Sequence, residues 1–97
     1  MRNYVDKLAK GEVVSFRPKG NSMNPRIKSG QKIFVSPVGL GDELKVDDIV
    51  FCRVKGNYYV HLIKAIKDDR YLIGNNHGKE NGWIGKSQVY GKVIRVE

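Results

Sequence analysis

The sequence is poor in several things that would otherwise set its class. It has a single cysteine, Cys52, so no disulfide can form within the chain. Cys52 sits in the apolar run Ile49-Val50-Phe51-Cys52-Arg53-Val54, where a small core residue is expected. No stretch approaches the roughly 18 consecutive apolar residues of a membrane helix. The opening residues Met1-Arg2-Asn3-Tyr4-Val5-Asp6 carry no apolar secretory segment. A soluble, cytoplasmic protein without a membrane span is therefore expected. With one cysteine and two histidines, no metal-ligand cluster is apparent, and neither a metal nor another cofactor is expected.

Acidic residues are also missing from one long window. Between Glu12 and Asp42 there is none, while Arg17, Lys19, Arg26, Lys28 and Lys32 fall inside it. The whole chain carries a net charge of +8. A basic collar of this kind suits an acidic protein, a nucleic acid, a phosphate or an anionic surface, or is simply a solvated rim. Phe16 and Phe34 are the aromatic residues of this window, too few for a stacking platform along single-stranded nucleic acid.

What is present points to one small globular domain. The chain has 97 residues, of which 40% are apolar, enough for a modest core and too many for a disordered segment. Residues about 2–10 read as one short helix, with Tyr4, Val5 and Leu8 at helical spacing and Gly11 ending it. The remainder, about 12–96, reads as strands and turns. Strand-like runs occur at 12–17, 31–35, 49–55, 58–66, 71–73, 83–84 and 89–96. Pro37 with the glycines at 39 and 41 marks a loop, and Lys55-Gly56-Asn57 and Asp68-Asp69-Arg70 mark tight turns. A polar loop is expected from Gly74 to Gly82, with Trp83 as a core or rim anchor after it. The class is mostly β, with a curled, barrel-like sheet and one N-terminal helix.

Two segments carry the candidate chemistry. Gly20-Asn21-Ser22-Met23-Asn24-Pro25 is a polar turn with one serine, and Met23 is expected to point inward and anchor it. Tyr59-Val60-His61-Leu62-Ile63 is a strand with one histidine. A serine hydroxyl is a poor nucleophile until a base within about 2.6–3.2 Å takes its proton. A histidine near its ordinary pKa is largely neutral at pH 7 and can accept that proton. Lys64 projects from the opposite face of the strand and would need a lowered pKa to do the same. The glycine before the turn frees backbone N–H groups, which with the Asn21 side chain can form an oxyanion hole.

The wording of these segments is similar to a known superfamily. The run from Gly20 to Val35 resembles the nucleophile box of the signal-peptidase and LexA-type serine proteases, which reads Gly-Asp-Ser-Met-Glu-Pro, then Gly-Asp and an apolar strand. Val46-Asp47-Asp48-Ile49-Val50 resembles its Gly-Asp-Ile-Val strand entry, and Leu72-Ile73-Gly74-Asn75-Asn76 its Lys-Gly-Asp-Asn box. Residues 84–96, with Gly91-Lys92-Val93, resemble its closing strand. The base box resembles the histidine branch, that of archaeal and endoplasmic-reticulum signal peptidases, in place of the lysine branch. The likeness covers roughly residues 12–96. It implies a LexA/signal-peptidase-like fold, of the free-standing kind expected in phage or bacterial genomes. It also implies Ser22 as nucleophile and His61 as base, and places Asn75 where the histidine branch has an aspartate that orients the ring. Asn24 and Gln31 stand where acids are usual.

Two functions follow as expectations. One is a small serine peptidase-like protein that hydrolyses a peptide bond with Ser22 and His61, with Asn21 and Asn75 at the oxyanion and the base. Its substrate would be an extended peptide or protein segment, with Arg17, Lys19, Arg26 and Lys28 as candidate substrate- or anion-binding residues. The other is a non-catalytic binding module on the same fold, holding an acidic protein or nucleic acid through the basic surface around Ser22. The loop from Asn75 onward is either an orienting element for His61 or a turn held by its own Asx hydrogen bonds.

Overall fold

The computed structural model describes residues 1–39 and 41–97. Position 40, inside the loop expected between Pro37 and Gly41, lies outside the described residues. The chain forms one helix, α1 (Arg2–Ala9), then β1 (Val14–Phe16), β2 (Ile33–Pro37), β3 (Ile49–Val54), β4 (Asn57–Lys67), β5 (Arg70–Gly74), β6 (Glu80–Gly85) and β7 (Val89–Val96). A single 3₁₀ turn, Lys86–Gln88, joins the last two strands. The strands make one 7-stranded sheet in the order β1-β2-β7-β3-β4-β5-β6, and every pairing is antiparallel. The mostly β class with one short N-terminal helix is thus the architecture of the protein. Among the described residues no helix is long and apolar enough to cross a membrane.

Local sequence explains the hairpins. Val54 pairs with Asn57, so Lys55 and Gly56 alone make the turn, with φ of 50° and 84°. Two consecutive positive φ values match the right-handed twist of the flanking strands. Asp68 and Asp69 repeat the arrangement between Lys67 and Arg70, with φ of 51° and 60°. Aspartate tolerates this region better than most residues, because its short side chain can bond locally.

The core lies on both faces of β3 and β4, because alternate residues of a strand point to opposite sides. On one face, Phe51, Val60 and Leu62 pack with Ile33, Val35 and Leu8 of the helix. Met23 and Ile27 belong to this cluster, so the serine turn is pinned by two buried side chains. On the other face, Val50, Cys52, Val54 and Ile63 pack against Tyr71, Ile73 and Ile84. The sheet therefore curls so that β5 and β6 fold over β3: a Cβ built on Gly82 would lie 3.4 Å from the Val54 side chain. Burial holds the Cys52 thiol up at about 12, well above the ordinary thiol range, and it remains a neutral core group.

Some boundaries differ from the sequence reading. The strand expected at 12–17 is shorter, at Val14–Phe16. The polar loop expected from Gly74 to Gly82 narrows to 75–79, because Glu80-Asn81-Gly82 joins β6 and pairs with β5. Low intrinsic β propensity is overridden there by the available edge of β5. Of the two places expected for Trp83, core or rim, it takes the rim: it is 42% exposed, beside Arg70, whose guanidinium donates to the Trp83 carbonyl at 3.3 Å.

Candidate active site

The turn and the strand meet. Ser22 Oγ lies 3.1 Å from His61 Nε2. His61 pairs with Val50 across the sheet, so its ring projects to the second core face and is only 7% exposed. The Tyr59 ring stacks on it, with centroids 4.8 Å apart and planes 28° from parallel. On the far side of the imidazole, Nδ1 is 2.7 Å from Asn81 Oδ1. An amide oxygen only accepts, so Nδ1 carries the proton and Nε2 presents its lone pair to the serine hydroxyl.

Asn81 reaches the ring because of a bulge. Ile73 pairs with Gly82 and Gly74 with Glu80, which leaves Asn81 as the extra residue of β6. A bulge re-aims one side chain out of the alternating pattern. Gly82, at φ 141°, supplies the backbone angle. Asn81 was not among the residues singled out from the sequence. The one signal was Gly82 directly before the strand-like Trp83-Ile84, since a glycine at a strand can mark a bulge.

Asn75 lies elsewhere. Its Oδ1 accepts the N–H of His77 at 2.8 Å and of Lys79 at 3.0 Å, closing the loop on itself. The contact with His61 that the aspartate comparison implied for Asn75 is made by Asn81. The loop nevertheless serves the site, through the serine. The Asn76 N–H donates to the Ser22 carbonyl at 2.9 Å, and Asn76 Nδ2 donates to the Asn24 carbonyl at 3.0 Å. His77 Nε2 lies 3.0 Å from the Asn21 carbonyl. Gly74 permits this fold-back, since a Cβ there would sit 2.5 Å from the Lys79 carbonyl oxygen.

The serine turn has its own geometry. Gly20 adopts φ 100°, which an L side chain would resist. The N–H groups of Asn21, Ser22 and Met23 have no hydrogen-bond partner among the described residues, whereas that of Asn24 closes the turn on the Asn21 carbonyl at 3.1 Å. The turn therefore holds unspent donors beside a hydroxyl, the composition of an anion-stabilising site. A cleft of about 200 Å³ opens beside Ser22, lined among others by Pro18, Lys19, Met23, Ile27, Tyr58 and Val60.

The four candidate anion-binding residues of the collar do not share one role. Arg17 Nη1 donates to the Gly30 carbonyl at 2.7 Å, and Arg26 Nη1 to the Asp47 carbonyl at 3.3 Å. Both guanidinium groups brace loops. Lys19 is at the cleft, and Lys28 enters the structure through its backbone N–H, on Gln31 Oε1 at 2.7 Å.

Burial lowers the His61 pKa below its ordinary 6.5, the Lys79 charge lowers it further, and the Asn81 hydrogen bond works in the opposite direction. The ring is therefore neutral throughout the physiological range. For stability, a lowered folded-state pKa means that the unfolded chain takes up a proton first. The contribution is full above pH 6.5 and is lost as pH falls from there through the folded pKa. A histidine NMR titration is expected to place His61 below 6.5 and Asn81→Asp to move it upward, because a carboxylate favours the imidazolium. An unchanged midpoint in Asn81→Asp would separate Asn81 from the ring in solution.

Fold and site together define a peptidase-like β domain with a serine turn facing a strand histidine. The model of the family described as Peptidase S24-like matches residues 3–94, and the chain belongs to that family. Comparison with individual curated proteins finds no match.

Proposed function

We propose that the protein is a serine peptidase in which Ser22 is the nucleophile and His61 the general base. The observation that carries this reading is the 3.1 Å contact between the Ser22 hydroxyl and the lone-pair nitrogen of a buried imidazole. Ser22 Oγ attacks the carbonyl carbon of a bound peptide as its proton passes to His61 Nε2. The carbonyl oxygen becomes an oxyanion, stabilised by the N–H of Ser22 and that of Asn21 or Met23. His61 then returns the proton to the departing amine, the C–N bond breaks, and an acyl-enzyme remains. Water, giving a proton to the same nitrogen, attacks the ester and releases the new carboxyl terminus with Ser22 restored.

Asn81 is a positioning residue in this scheme. It fixes the ring and its tautomer, but as a neutral amide it does not offset the imidazolium charge that forms. A slow peptidase is the expected result. The same amide favours one other reading, a binding module that keeps the geometry without turnover.

The test is covalent labelling with an alkyl fluorophosphonate, followed by peptide mapping. Modification of Ser22 in the wild type, lost in His61→Ala, is expected. Absence of labelling at Ser22 under native conditions from pH 6 to 9 overturns the peptidase reading in favour of the binding module.

A further inference from the structure

Basic side chains outnumber acidic ones near the Ser22–His61 contact. Lys19 stands in the wall of the cleft. Arg53 lies over the Tyr58 ring at 5.1 Å from its centroid, and Tyr58 lines that same cleft. Lys79 belongs to the loop that bonds to the serine turn, its N–H donating to Asn75 Oδ1 at 3.0 Å, and its charge is felt at His61. The Lys55 side chain reaches Gly82, next to Asn81, within 3.5 Å of where a Cβ would sit. Acidic residues lie nearby as well: Glu80, exposed on β6 next to Asn81, and Asp47, whose carbonyl accepts from Arg26 and whose N–H donates to the Ile63 carbonyl. These cations come from four separate segments: the serine turn, the end of β3, the β3–β4 hairpin turn and the loop 75–79. Arg17 and Arg26 are held on backbone carbonyls, which fixes their guanidinium groups and leaves their charge intact.

The cleft between them has another character. Met23, Ile27 and Val60 are buried apolar residues in its wall, with Pro18 and Tyr58 completing it. A space of about 200 Å³ holds one side chain of intermediate size. An apolar slot suits an aliphatic group, and a low-dielectric wall strengthens the pull of nearby cations on an approaching anion.

We infer that the segment recognised here is an acidic one: an extended polypeptide that seats a medium aliphatic side chain in the cleft and carries Asp or Glu on both sides of it. This rests on the reading of Ser22 as the nucleophile only for what happens after binding, since the charge and the slot act on the bound segment whether or not it is cut. Lys19, in the cleft wall, would meet the acids beside the seated side chain.

The experiment uses matched fluorescent peptides with leucine at the centre and Glu, Ser or Lys at the flanking positions. Binding is read by anisotropy and cleavage by product release, at low and at about 0.5 M salt. The Glu peptide is expected to bind about tenfold more tightly than the Lys peptide at low salt, and to be cleaved with a kcat/KM higher by a similar factor. The difference should shrink at high salt, where the Debye length falls to a few ångströms. Lys19→Glu is expected to reduce the preference, and Lys19→Arg to retain it. Equal binding of the Glu and Lys peptides overturns the inference, even if Ser22 is labelled and both are cut. Tight, salt-sensitive binding of the Glu peptide without labelling of Ser22 upholds it while removing the peptidase reading. A tryptophan at the centre in place of leucine should bind worse; equal or better binding would show that the slot does not set the side-chain size.

Discussion

Ser22→Ala is expected to abolish peptide cleavage, with a loss on the order of 10⁴-fold or more in kcat. The substitution removes one oxygen and little else. Met23 and Ile27 still anchor the turn in the core, and the Ser22 carbonyl still accepts the Asn76 N–H. His61 loses a partner on Nε2, at a cost of about 1 kcal/mol, so the fold should persist. His61→Ala should fall to a similar floor, and the double variant no further, because the two groups act as one unit. The assay is steady-state turnover of the preferred peptide, with circular dichroism to verify folding. Residual activity within about tenfold of wild type in folded Ser22→Ala would remove the hydroxyl from the chemistry.

The second large effect is on stability. Phe51 is 0% exposed at the centre of the sheet, and its ring meets those of Phe16, Tyr58 and Tyr90 at 5.5, 6.0 and 5.7 Å between centroids. Phe51→Ala deletes the hub of this cluster and leaves a cavity that β3, paired on both sides, cannot collapse to fill. A cost of about 3–5 kcal/mol is expected, a large part of the roughly 5–15 kcal/mol available to a domain. The melting midpoint should fall by at least about 12 °C, at about 4–8 °C per kcal/mol for a domain of this size. Urea titration should show a lower midpoint with an unchanged slope. Phe51→Leu should recover most of the loss. A drop under about 1 kcal/mol in the alanine variant would mean that the ring cluster is not a unit of the core.

The fold was legible wherever side-chain alternation and turn chemistry agreed. Lys55-Gly56 and Asp68-Asp69 announced two-residue hairpins, and β3 and β4 followed from the β-rich runs around them. Ser22 and His61 stood out less by their spacing than because the segments around them resemble the nucleophile and base boxes of the superfamily. Their 3.1 Å separation was not readable, since it depends on how the sheet curls and where Met23 anchors. The error over Asn75 and Asn81 has a similar cause. Both are asparagines at the margins of one loop, and a single bulge decides which of them faces the ring. The split of the cations was hidden for another reason. Arg17 and Arg26 bond to carbonyls of distant loops, which charge counting cannot see.

The loop 75–79 and the bulge at Asn81 also fix an order in time. A ribosome making this chain finishes Ser22 and His61 well before Asn76 and Asn81. A nascent chain that ends at His61 holds both halves of the hydroxyl–imidazole pair. It lacks the bonds that seat the turn through Asn76 and His77, and the amide that sets the ring tautomer. The contacts around the pair are thus complete only with the sixth strand, after more than three quarters of the polypeptide has been synthesised.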